Sequence, residues 1–255
     1  MKILKQLHQG ESKIELVEID DKKLILRTAT LEDIYNERAF VAELKKHQIR
    51  TLQIFESEIL LANQLLLEYI ESSPLLADNL TDKNIYNWGV LIKKIHQIKF
   101  DKVFKITATG EKDYCGWGDF VKARLAMAKL KLDRNKLDLT EDQSNLMRAK
   151  LFNFNVPEPK NIALLHCDLN KYNILLDNKE LILFDKGNQI FSGDYLFDLA
   201  SVKIALTDKQ FQEFIKGYGE DFTKTNSKLF EFYYLLRIIM RFPNPNRQII
   251  KDVLK

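Results

Sequence analysis

Short apolar runs alternate with polar turns through the first seventy positions of the chain, a pattern that indicates β-strands. The turn Asp20-Asp21 joins the first two runs. One helix, at residues 31–47, follows them, with Thr30 or Asp33 as its capping residue. We therefore predict a five-stranded sheet accompanied by this one helix. The predicted strands are residues 10–17, 22–27, 52–55, 59–61 and 65–70.

Helical periodicity dominates after the polar stretch 71–74, because apolar residues now recur every three or four positions. The predicted helices are residues 84–98, a helix beginning at Trp117, residues 141–153, 208–218 and 226–241, and a short helix that closes the chain. Residues 110–118 are rich in turn formers and are predicted as a loop. Three apolar runs are typical of short buried strands: residues 162–165, 174–176 and 181–184. The pattern predicts an α+β chain, with the main sheet first and mostly helices afterwards.

Composition and charge are those of an ordinary globular protein. Of 255 residues, 45% are hydrophobic and 29% are charged. The net charge is only +3 and the lysines are spread along the chain, so no nucleic-acid partner is expected. No apolar run approaches the ~20 residues of a membrane span, and the N-terminus lacks an apolar signal segment. Two cysteines, Cys115 and Cys167, are too few for a disulfide scaffold. We expect a cytoplasmic protein without a membrane partner, either a monomer or a dimer.

The candidate chemistry concentrates on the loop between the predicted strands 162–165 and 174–176. This loop carries Asp168 and Asn173, and Asp185 follows the next strand, twelve residues after Asn173. Carboxylate and amide oxygens at the ends of buried strands suit Mg²⁺, which is usually held by few protein ligands together with substrate phosphates. A kinase needs one Asp to receive the proton of the substrate hydroxyl, and an Asn and a second Asp to hold the metal.

Three sequence blocks, in the same order and spacing, resemble those of a known family. Residues 166–173, HCDLNKYN, resemble the catalytic loop H-G-D-x-x-x-x-N of the aminoglycoside phosphotransferase/choline kinase-like family, a relative of the protein-kinase loop. Asp185-Lys186-Gly187 stands where that family carries its metal-binding Asp, and residues 193–200, GDYLFDLA, resemble its G-D-P-x-x-D-L-A segment. Two residues depart from the pattern: Cys167 replaces the usual Gly, and Lys186 replaces the usual aromatic residue.

The resemblance implies a bilobal, protein kinase-like fold. A small N-terminal lobe, residues 1–70, would consist of the antiparallel sheet with its helix and bind the nucleotide. A larger, mostly helical lobe, residues 71–255, would carry catalysis and acceptor binding. Asp168 is then expected to be the catalytic base, with Asn173 and Asp185 as metal ligands. Asp194 and Asp198 are expected to support the catalytic loop.

The resemblance also implies nucleotide-binding residues in the N-terminal lobe. Ser12 fits a short phosphate-binding loop, although an ordinary hairpin start explains this stretch as well. Arg27 stands where the family places the Lys or Arg that grips the α- and β-phosphates, and its planar fork of donors suits phosphate. Glu37 resembles the carboxylate that pairs with this cation. Glu43 is the alternative partner, and both glutamates could instead be solvated helix surface.

Further expectations concern the hinge and two large side chains. The backbone of Glu68, Tyr69 and Ile70 is expected to lie beside the nucleotide base, as the hinge does in kinase-like folds. His96 is interpreted as a packed structural residue. Trp117 could stack on a substrate ring, but an aromatic residue at a helix start is more often part of a core.

The sequence therefore predicts a small-molecule kinase that transfers the γ-phosphoryl group of ATP or GTP to a hydroxyl, with Mg²⁺ and an Asp base. The alternative is a catalytically weak or inactive nucleotide-binding pseudokinase. A nucleotidyltransferase or hydrolase would explain the carboxylates but not the flanking blocks. From residue 186 onward the sequence contains eleven Lys and Arg but only eight Asp and Glu. We therefore expect a neutral, singly charged or anionic hydroxyl metabolite as acceptor, with a polycationic aminoglycoside antibiotic as the second choice.

Overall fold

The N-terminal part of the protein is an antiparallel five-stranded sheet with the strand order β1-β2-β3-β5-β4. The computed structural model describes residues 1–10, 12–72, 74–75, 78–134, 139–187 and 189–241. The strands of the sheet are β1 (Lys2–Gln9), β2 (Lys13–Ile19), β3 (Lys22–Thr28), β4 (Ile54–Phe55) and β5 (Gln64–Glu68). Asp20 and Asp21, between β2 and β3, both have positive φ angles, 49° and 60°, as a type I′ turn requires. The predicted two-residue turn is confirmed.

The sheet has the predicted number of strands but not the predicted set. The sequence pattern does not predict β1, and residues 59–61, predicted as a strand, form a turn. β1 lies at the edge of the sheet with almost all of its side chains exposed, so its sequence carries no clear apolar alternation. Ile59 and Leu61 are 57% and 65% exposed. Their apolar side chains therefore do not mark a buried strand.

The helix α1 (Leu31–Lys46) joins the sheet to the rest of the molecule. The side-chain oxygen of Thr30 accepts a hydrogen bond from the backbone N–H of Asp33, so Thr30 is the capping residue. Phe40 and Leu44, on one face of the helix, are fully buried in the large core of the C-terminal part. Burial of these side chains fixes the position of α1 relative to both parts of the molecule.

The C-terminal part is mostly helical. Its helices are α2 (Asp82–His96), α3 (Trp117–Asp133), α4 (Glu141–Phe152), α5 (Tyr195–Ala205), α6 (Asp208–Tyr218), α7 (Phe222–Thr225) and α8 (Ser227–Arg241). Its short antiparallel strands are β6 (Lys99–Phe100), β7 (Phe104–Ile106), β8 (Lys112–Tyr114), β9 (Ile162–Leu164), β10 (Ile174–Asp177), β11 (Glu180–Leu183) and β12 (Ser192–Gly193). The predicted bounds of α2, α4, α6 and α8 agree with the structure to within two residues.

Two glycines let α2 and α6 approach closely. A Cβ atom added to Gly89 would lie 2.2 Å from the backbone oxygen of Phe214, and one added to Gly217 would lie 1.9 Å from the backbone oxygen of Tyr86. No side chain fits at such separations, so the crossing of these helices depends on both glycines. The close crossing stabilises the helical core behind the catalytic loop.

Two further predictions need comment. Residues 110–118 were predicted as a loop, which is wrong in part, because β8 lies within this stretch and pairs with β7. The pairing is local, and the side chains of β8 are exposed, so no apolar alternation marks it. The short helix predicted to close the chain lies outside the described residues. Among the helices that the structure does describe, none has the length and apolar character needed to cross a bilayer.

Candidate active site

The loop that carries Asp168 is held by a buried carboxylate. Asp198, on α5, is fully buried and accepts hydrogen bonds from the backbone N–H groups of His166, at 2.6 Å, and Cys167, at 2.8 Å. Burial acts to raise the pKa of Asp198, but hydrogen bonds from His96 and the His166 backbone hold it below its usual value. The loop is therefore tied to α5 by an ionised carboxylate.

His166 fixes the backbone around Asp168. Its Nε2 atom lies 2.8 Å from the carbonyl oxygen of Phe184 and donates to it, while its Nδ1 atom accepts from the backbone N–H of Asp168 at 3.2 Å. The ring also packs edge-on against Phe40 of α1. His166 thus links the loop, the end of β11 and the N-terminal part through one side chain.

Two amides orient the Asp168 side chain. Asn173 donates from Nδ2 to Oδ2 of Asp168 at 2.9 Å and to its carbonyl oxygen at 3.0 Å. Asn170 donates to the same Oδ2 at 3.1 Å. Both bonds engage one oxygen of the carboxylate and hold its rotamer, as a group that must meet a substrate hydroxyl requires.

Asp185 lies beside a buried ion pair. Arg27, on β3, approaches Asp185 at 2.6 Å and Glu37 of α1 at 3.6 Å. Glu37 is 1% exposed and also accepts from the backbone N–H of Lys186 at 2.8 Å. The alternative partner, Glu43, contacts Lys46 instead, at 2.9 Å. Arg27 therefore stands between two carboxylates at the junction of the two parts.

The predicted metal ligands retain oxygens suited to Mg²⁺. The Nδ2 group of Asn173 is used on Asp168, and its Oδ1 atom accepts no hydrogen bond from the described residues. Asp185 is 36% exposed in its side chain, and its Oδ2 atom is not engaged by Arg27. One carboxylate and one amide oxygen fit an ion that completes its shell with water and phosphates. Within the described part of the chain, no group of three or more His, Cys, Asp or Glu side chains could hold a metal without such help.

Asp168, Asp185 and Arg27 open onto one cleft of about 430 Å³ between the two parts of the molecule, whereas Asn173 and Glu37 are not among its lining residues. It is lined by His8, Ser12, Arg27, Asp33, Asp168, Asp185, Lys186, Gly187 and Gln189. Ser12, Arg27, Asp168 and Asp185 were predicted from the sequence. His8 and Gln189 were not, since β1 itself was missed and Gln189 belongs to no motif. A larger hollow, of about 530 Å³, lies between the end of α1 and α2 and contains none of the predicted residues.

The predicted hinge begins at Glu68, the last residue of β5. The Glu68 side chain forms a two-pronged ion pair with Arg50, at 2.8 and 2.9 Å, and this hydrogen bonding lowers the pKa of its carboxyl group. Tyr69 and Ile70 follow as half-buried residues, and the Ile70 carbonyl accepts from the backbone N–H of Ser72 at 2.8 Å. Half-buried apolar side chains from both parts join this region: Ile25, Ile70, Leu175 and Phe184.

Comparison with known proteins decides the family. The sequence model described as the phosphotransferase enzyme family, APH, matches residues 4–231, which include the cleft and the catalytic loop. The chain belongs to the phosphotransferase enzyme family. It is thus a phosphotransferase by family, and the resemblance and the enzyme class predicted from its sequence are confirmed. A comparison with curated proteins finds no match.

Solved structures show the same fold at low sequence identity. A thermostable mutant of aminoglycoside phosphotransferase APH(4)-Ia, in a ternary complex with ADP and hygromycin B, is 17% identical, with a TM-score of 0.70; the match covers 97% of this chain and 86% of that one. Spectinomycin phosphotransferase APH(9)-Ia, with ADP and spectinomycin, is 14% identical, with a TM-score of 0.66 and coverage of 99% and 86%. A putative fructosamine-3-kinase from Thermobifida fusca is 14% identical, with a TM-score of 0.63 and coverage of 100% and 92%. The predicted kinase-like fold is confirmed.

The two departures of this phosphotransferase from the family pattern meet at one carbonyl group. Cys167 has a φ angle of 68°, in the left-handed region that favours glycine. Its thiol lies 3.1 Å from the carbonyl oxygen of Ile190, and burial raises the pKa of the thiol to about 11. Lys186 is 2% exposed and donates to the same carbonyl at 2.8 Å and to that of Gly187 at 2.7 Å. Burial lowers the pKa of its ammonium group.

Trp117 and His96 are packing residues in this phosphotransferase. Trp117 is fully buried, and its indole N–H donates to the hydroxyl of Tyr233 at 2.7 Å, so it does not face a substrate. His96 is 3% exposed and lies 3.2 Å from the Tyr218 hydroxyl and 3.5 Å from Asp198. Asp194 caps α5 through the backbone N–H of Leu196 at 3.0 Å. Its other carboxylate oxygen accepts from the Tyr233 hydroxyl at 3.0 Å, so of the two aspartates expected to support the catalytic loop only Asp198 contacts it directly.

Proposed function

We propose that this phosphotransferase transfers the γ-phosphoryl group of ATP to a hydroxyl of a small molecule, with Mg²⁺ as the metal and Asp168 as the base. One observation carries the proposal: Asp168, Asp185, Arg27 and Ser12, which come from separate segments of the sequence, line a single cleft. Phosphoryl transfer needs positioning and charge stabilisation more than covalent chemistry, and these residue types supply both.

Asp168 is the proposed proton acceptor. Asn170 and Asn173 hold its Oδ2 atom. As the hydroxyl oxygen of the acceptor attacks the γ-phosphorus, its proton passes to this carboxylate, and the bond from the γ-phosphorus to the β,γ-bridging oxygen breaks, leaving ADP. The amides do not change charge in this step. They keep the carboxylate in place, so that proton transfer needs no reorientation.

Arg27 and Glu37 are the proposed phosphate-positioning pair. Glu37 is buried beside Arg27 and keeps the guanidinium at the mouth of the cleft. There the fork of donors can bind α- or β-phosphate oxygens. Asp185 and Asn173 would hold Mg²⁺, which offsets phosphate charge when bound. Ser12, at the turn between β1 and β2, is the proposed backbone and hydroxyl donor to the phosphates.

The proposed site for the base lies at the hinge, against Glu68, Tyr69 and Ile70. Half-buried apolar side chains there, Ile25 and Ile70 from one part and Leu175 from the other, would enclose a planar ring. Structural neighbours contain ADP or AMP-PNP, which supports ATP rather than GTP as the donor.

Hygromycin B and spectinomycin in those neighbours make an antibiotic acceptor the natural alternative. Four acids of the C-terminal region that could otherwise bind a polycation do not support it, because each of the four is already paired with a lysine. These pairs are Glu213–Lys216 (2.6 Å), Glu220–Lys93 (3.0 Å), Asp221–Lys224 (2.8 Å) and Glu231–Lys150 (2.6 Å). A polycation would have to displace these lysines, so we propose a metabolite rather than an aminoglycoside.

The decisive experiment is acceptor-dependent consumption of ATP by the purified protein and by Asp168→Asn. We expect the variant to lose about 10²–10⁴-fold in turnover. Its affinity for Mg·ATP should stay unchanged, since the base acts on the acceptor. Asp113→Asn, on the exposed strand β8, is the matched control and should behave as wild type. Turnover by Asp168→Asn at the wild-type rate would overturn the assignment of the base. Tight Mg·ATP binding without transfer to any hydroxyl would instead indicate a pseudokinase.

A further inference from the structure

Arg237, on α8, carries a charge that no carboxylate of the described residues contacts. It is 3% exposed and donates to the Ser201 hydroxyl at 2.8 Å and to the carbonyl oxygen of Cys167 at 2.7 Å. Its third contact is the side-chain oxygen of Gln189 at 3.5 Å. All three partners are neutral; burial lowers the pKa of the guanidinium, and the charges of Asp198 and Asp168, which do not contact it, act in the opposite direction. Buried charges in proteins are normally paired.

Arg124, on α3, is half-buried and likewise meets no carboxylate of the described residues. Its Nε atom is buried and meets no acceptor, and Nη1 reaches only the sulfur of Met127, at 3.8 Å. No carboxylate in the described part of the chain forms an ion pair with it. Burial lowers the pKa of Arg124, and the like charge of Arg237 lowers it further. The positive charge of Arg237 therefore acts unfavourably on that of Arg124.

An aromatic pair joins the two arginines and fixes their place. Arg124 lies over the ring of Phe120 at 5.0 Å, Arg237 lies over the ring of Phe197 at 4.8 Å, and the two rings meet edge to face at 5.4 Å. Arg237 also holds the carbonyl of Cys167, the residue before Asp168. The arginine pair therefore lies beside the catalytic loop, on the side of the C-terminal helices.

We infer that Arg124, with the support of Arg237, binds an anionic group of the acceptor, so that the substrate is a hydroxyl compound bearing a carboxylate or a phosphate monoester. The inference rests on the proposed kinase function. A guanidinium can donate two parallel hydrogen bonds to either group, and the Nε–H of Arg124 has no competing partner. An anion beside Arg124 also reduces the unfavourable effect of one cation on the other, whereas an amino sugar would add a further positive charge.

The test uses acceptors that share a carbon skeleton and carry a neutral, anionic or cationic substituent. One series is glucose, glucuronate, glucose 6-phosphate and glucosamine; the second is glycerol, glycerate, glycerol 3-phosphate and 2-amino-1,3-propanediol. Each compound is measured for ATP consumption and, with saturating Mg·ADP, for its shift of the melting temperature. We expect the anionic members of each series to bind and react. Comparison of the carboxylates with the phosphate esters then shows which of the two anionic groups the site prefers. Better binding by the neutral or cationic members, or no shift and no turnover with any anion, would overturn the inference.

Variants of Arg124 locate the interaction. Arg124→Gln should raise the KM for the preferred anion about 10–100-fold, the range for a lost hydrogen bond to a charged group. The KM for ATP should not change, and the KM for the neutral analogue should change little. Arg124→Lys should recover part of the loss. Lys129→Gln, an exposed lysine on the same helix, removes one charge as a control and should leave all constants unchanged. Equal effects of Arg124→Gln on anionic and neutral acceptors would overturn the inference.

The proposed function and the inference can fail separately. If Mg·ATP neither shifts the melting temperature nor is consumed with any acceptor, the kinase proposal fails. If Mg·ATP binds and a neutral or cationic acceptor is phosphorylated, the kinase proposal stands and the anion-binding role of Arg124 falls.

Discussion

The N-terminal and C-terminal parts of the molecule hold their arginines in different ways. On the N-terminal side, Arg27 lies between the carboxylates of Glu37 and Asp185. On the C-terminal side, Arg237 is held by a hydroxyl, a carbonyl and an amide, and Arg124 by an aromatic ring. A phosphate-binding cation needs a fixed orientation, and a neighbouring carboxylate supplies it. A cation that awaits a charged ligand is better left with neutral partners, because the ligand then has no internal anion to displace.

The difference also predicts how each side responds to a change in charge. On the donor side the protein already contains the balancing anion, so removal of either charge leaves a buried partner uncompensated. On the acceptor side the balancing anion is proposed to arrive with the substrate. Loss of Arg124, which has no ionic partner among the described residues, should weaken substrate binding and spare the folded state.

The largest effect within this comparison is expected for Asp185→Ala. The change removes the proposed metal carboxylate and one of the two anions beside Arg27. Loss of residues that merely orient metal ligands costs about 10–100-fold in metal affinity or activity, so loss of a ligand should lower kcat/KM for Mg·ATP by at least about 100-fold. Titration of Mg·ATP by calorimetry and steady-state kinetics measure this. Asn173→Ala should do less damage to binding, since its oxygen is uncharged.

Asn170→Ala separates the two roles of Asn173. Asn170 donates to the same oxygen of Asp168 but is not a proposed metal ligand. Asn170→Ala should therefore lower kcat without changing the Mg²⁺ concentration that the enzyme needs. Asn173→Ala should change both kcat and this Mg²⁺ requirement. For Asp185→Ala, an unchanged affinity for Mg·ATP together with an unchanged rate would contradict the proposed role of Asp185 as a metal ligand.

Stability should distinguish Arg27 from Arg124. Arg27→Gln leaves Glu37, at 1% exposure, without its ionic partner, and breaking a buried pair in this way costs about 3–5 kcal/mol. Arg124→Gln leaves no carboxylate unpaired, so its free energy of unfolding should stay within about 1 kcal/mol of wild type. Urea unfolding of both variants, with Arg27→Lys as the charge-conserving control, measures the difference. Equal losses in the two glutamine variants would contradict the contrast between the two sides.

The sequence predicted the parts of the site that consist of motifs. Asp168 follows one short apolar run, Asn173 precedes the next and Asp185 follows the third, and those runs correspond to the strands β9, β10 and β11. Their chemical roles, like the residue 70 boundary between the lobes, remain predictions. Arg27 and Glu37 could be proposed as a pair by resemblance. The choice between Glu37 and Glu43 could not be made, because both lie on α1 and only the packing of the helix shows which one is buried.

The arginine pair on the proposed acceptor side could not be predicted by the same reasoning. Arg124 and Arg237 lie 113 positions apart on two helices and belong to no motif. Their lack of carboxylate partners depends on how α3 and α8 pack, which hydrophobic periodicity does not report. Counting charges along the C-terminal helices shows an excess of cations in the region, but it does not show that five of the acids there are paired with lysines.

The smallest effect is expected for Cys167→Gly, which restores the residue usual in the family. The left-handed φ of 68° costs a non-glycine residue about 1–2 kcal/mol, which glycine would not incur. The loss of a buried thiol and the greater freedom of glycine in the unfolded chain act in the opposite direction. We therefore expect the free energy of unfolding to change by no more than about 1 kcal/mol.

Activity should change little as well, because the contacts of residue 167 that matter are made by its backbone. Its N–H donates to Asp198, its carbonyl accepts from Arg237, and glycine keeps both. Kinetics of Cys167→Gly should give values within about threefold of wild type for both substrates, with Cys115→Ser as the control for loss of a thiol. A large fall in kcat would show that the buried thiol has a part in catalysis. A rise in the acceptor KM alone would show that the side chain of Cys167, and not only its carbonyl group, maintains the arginine pair.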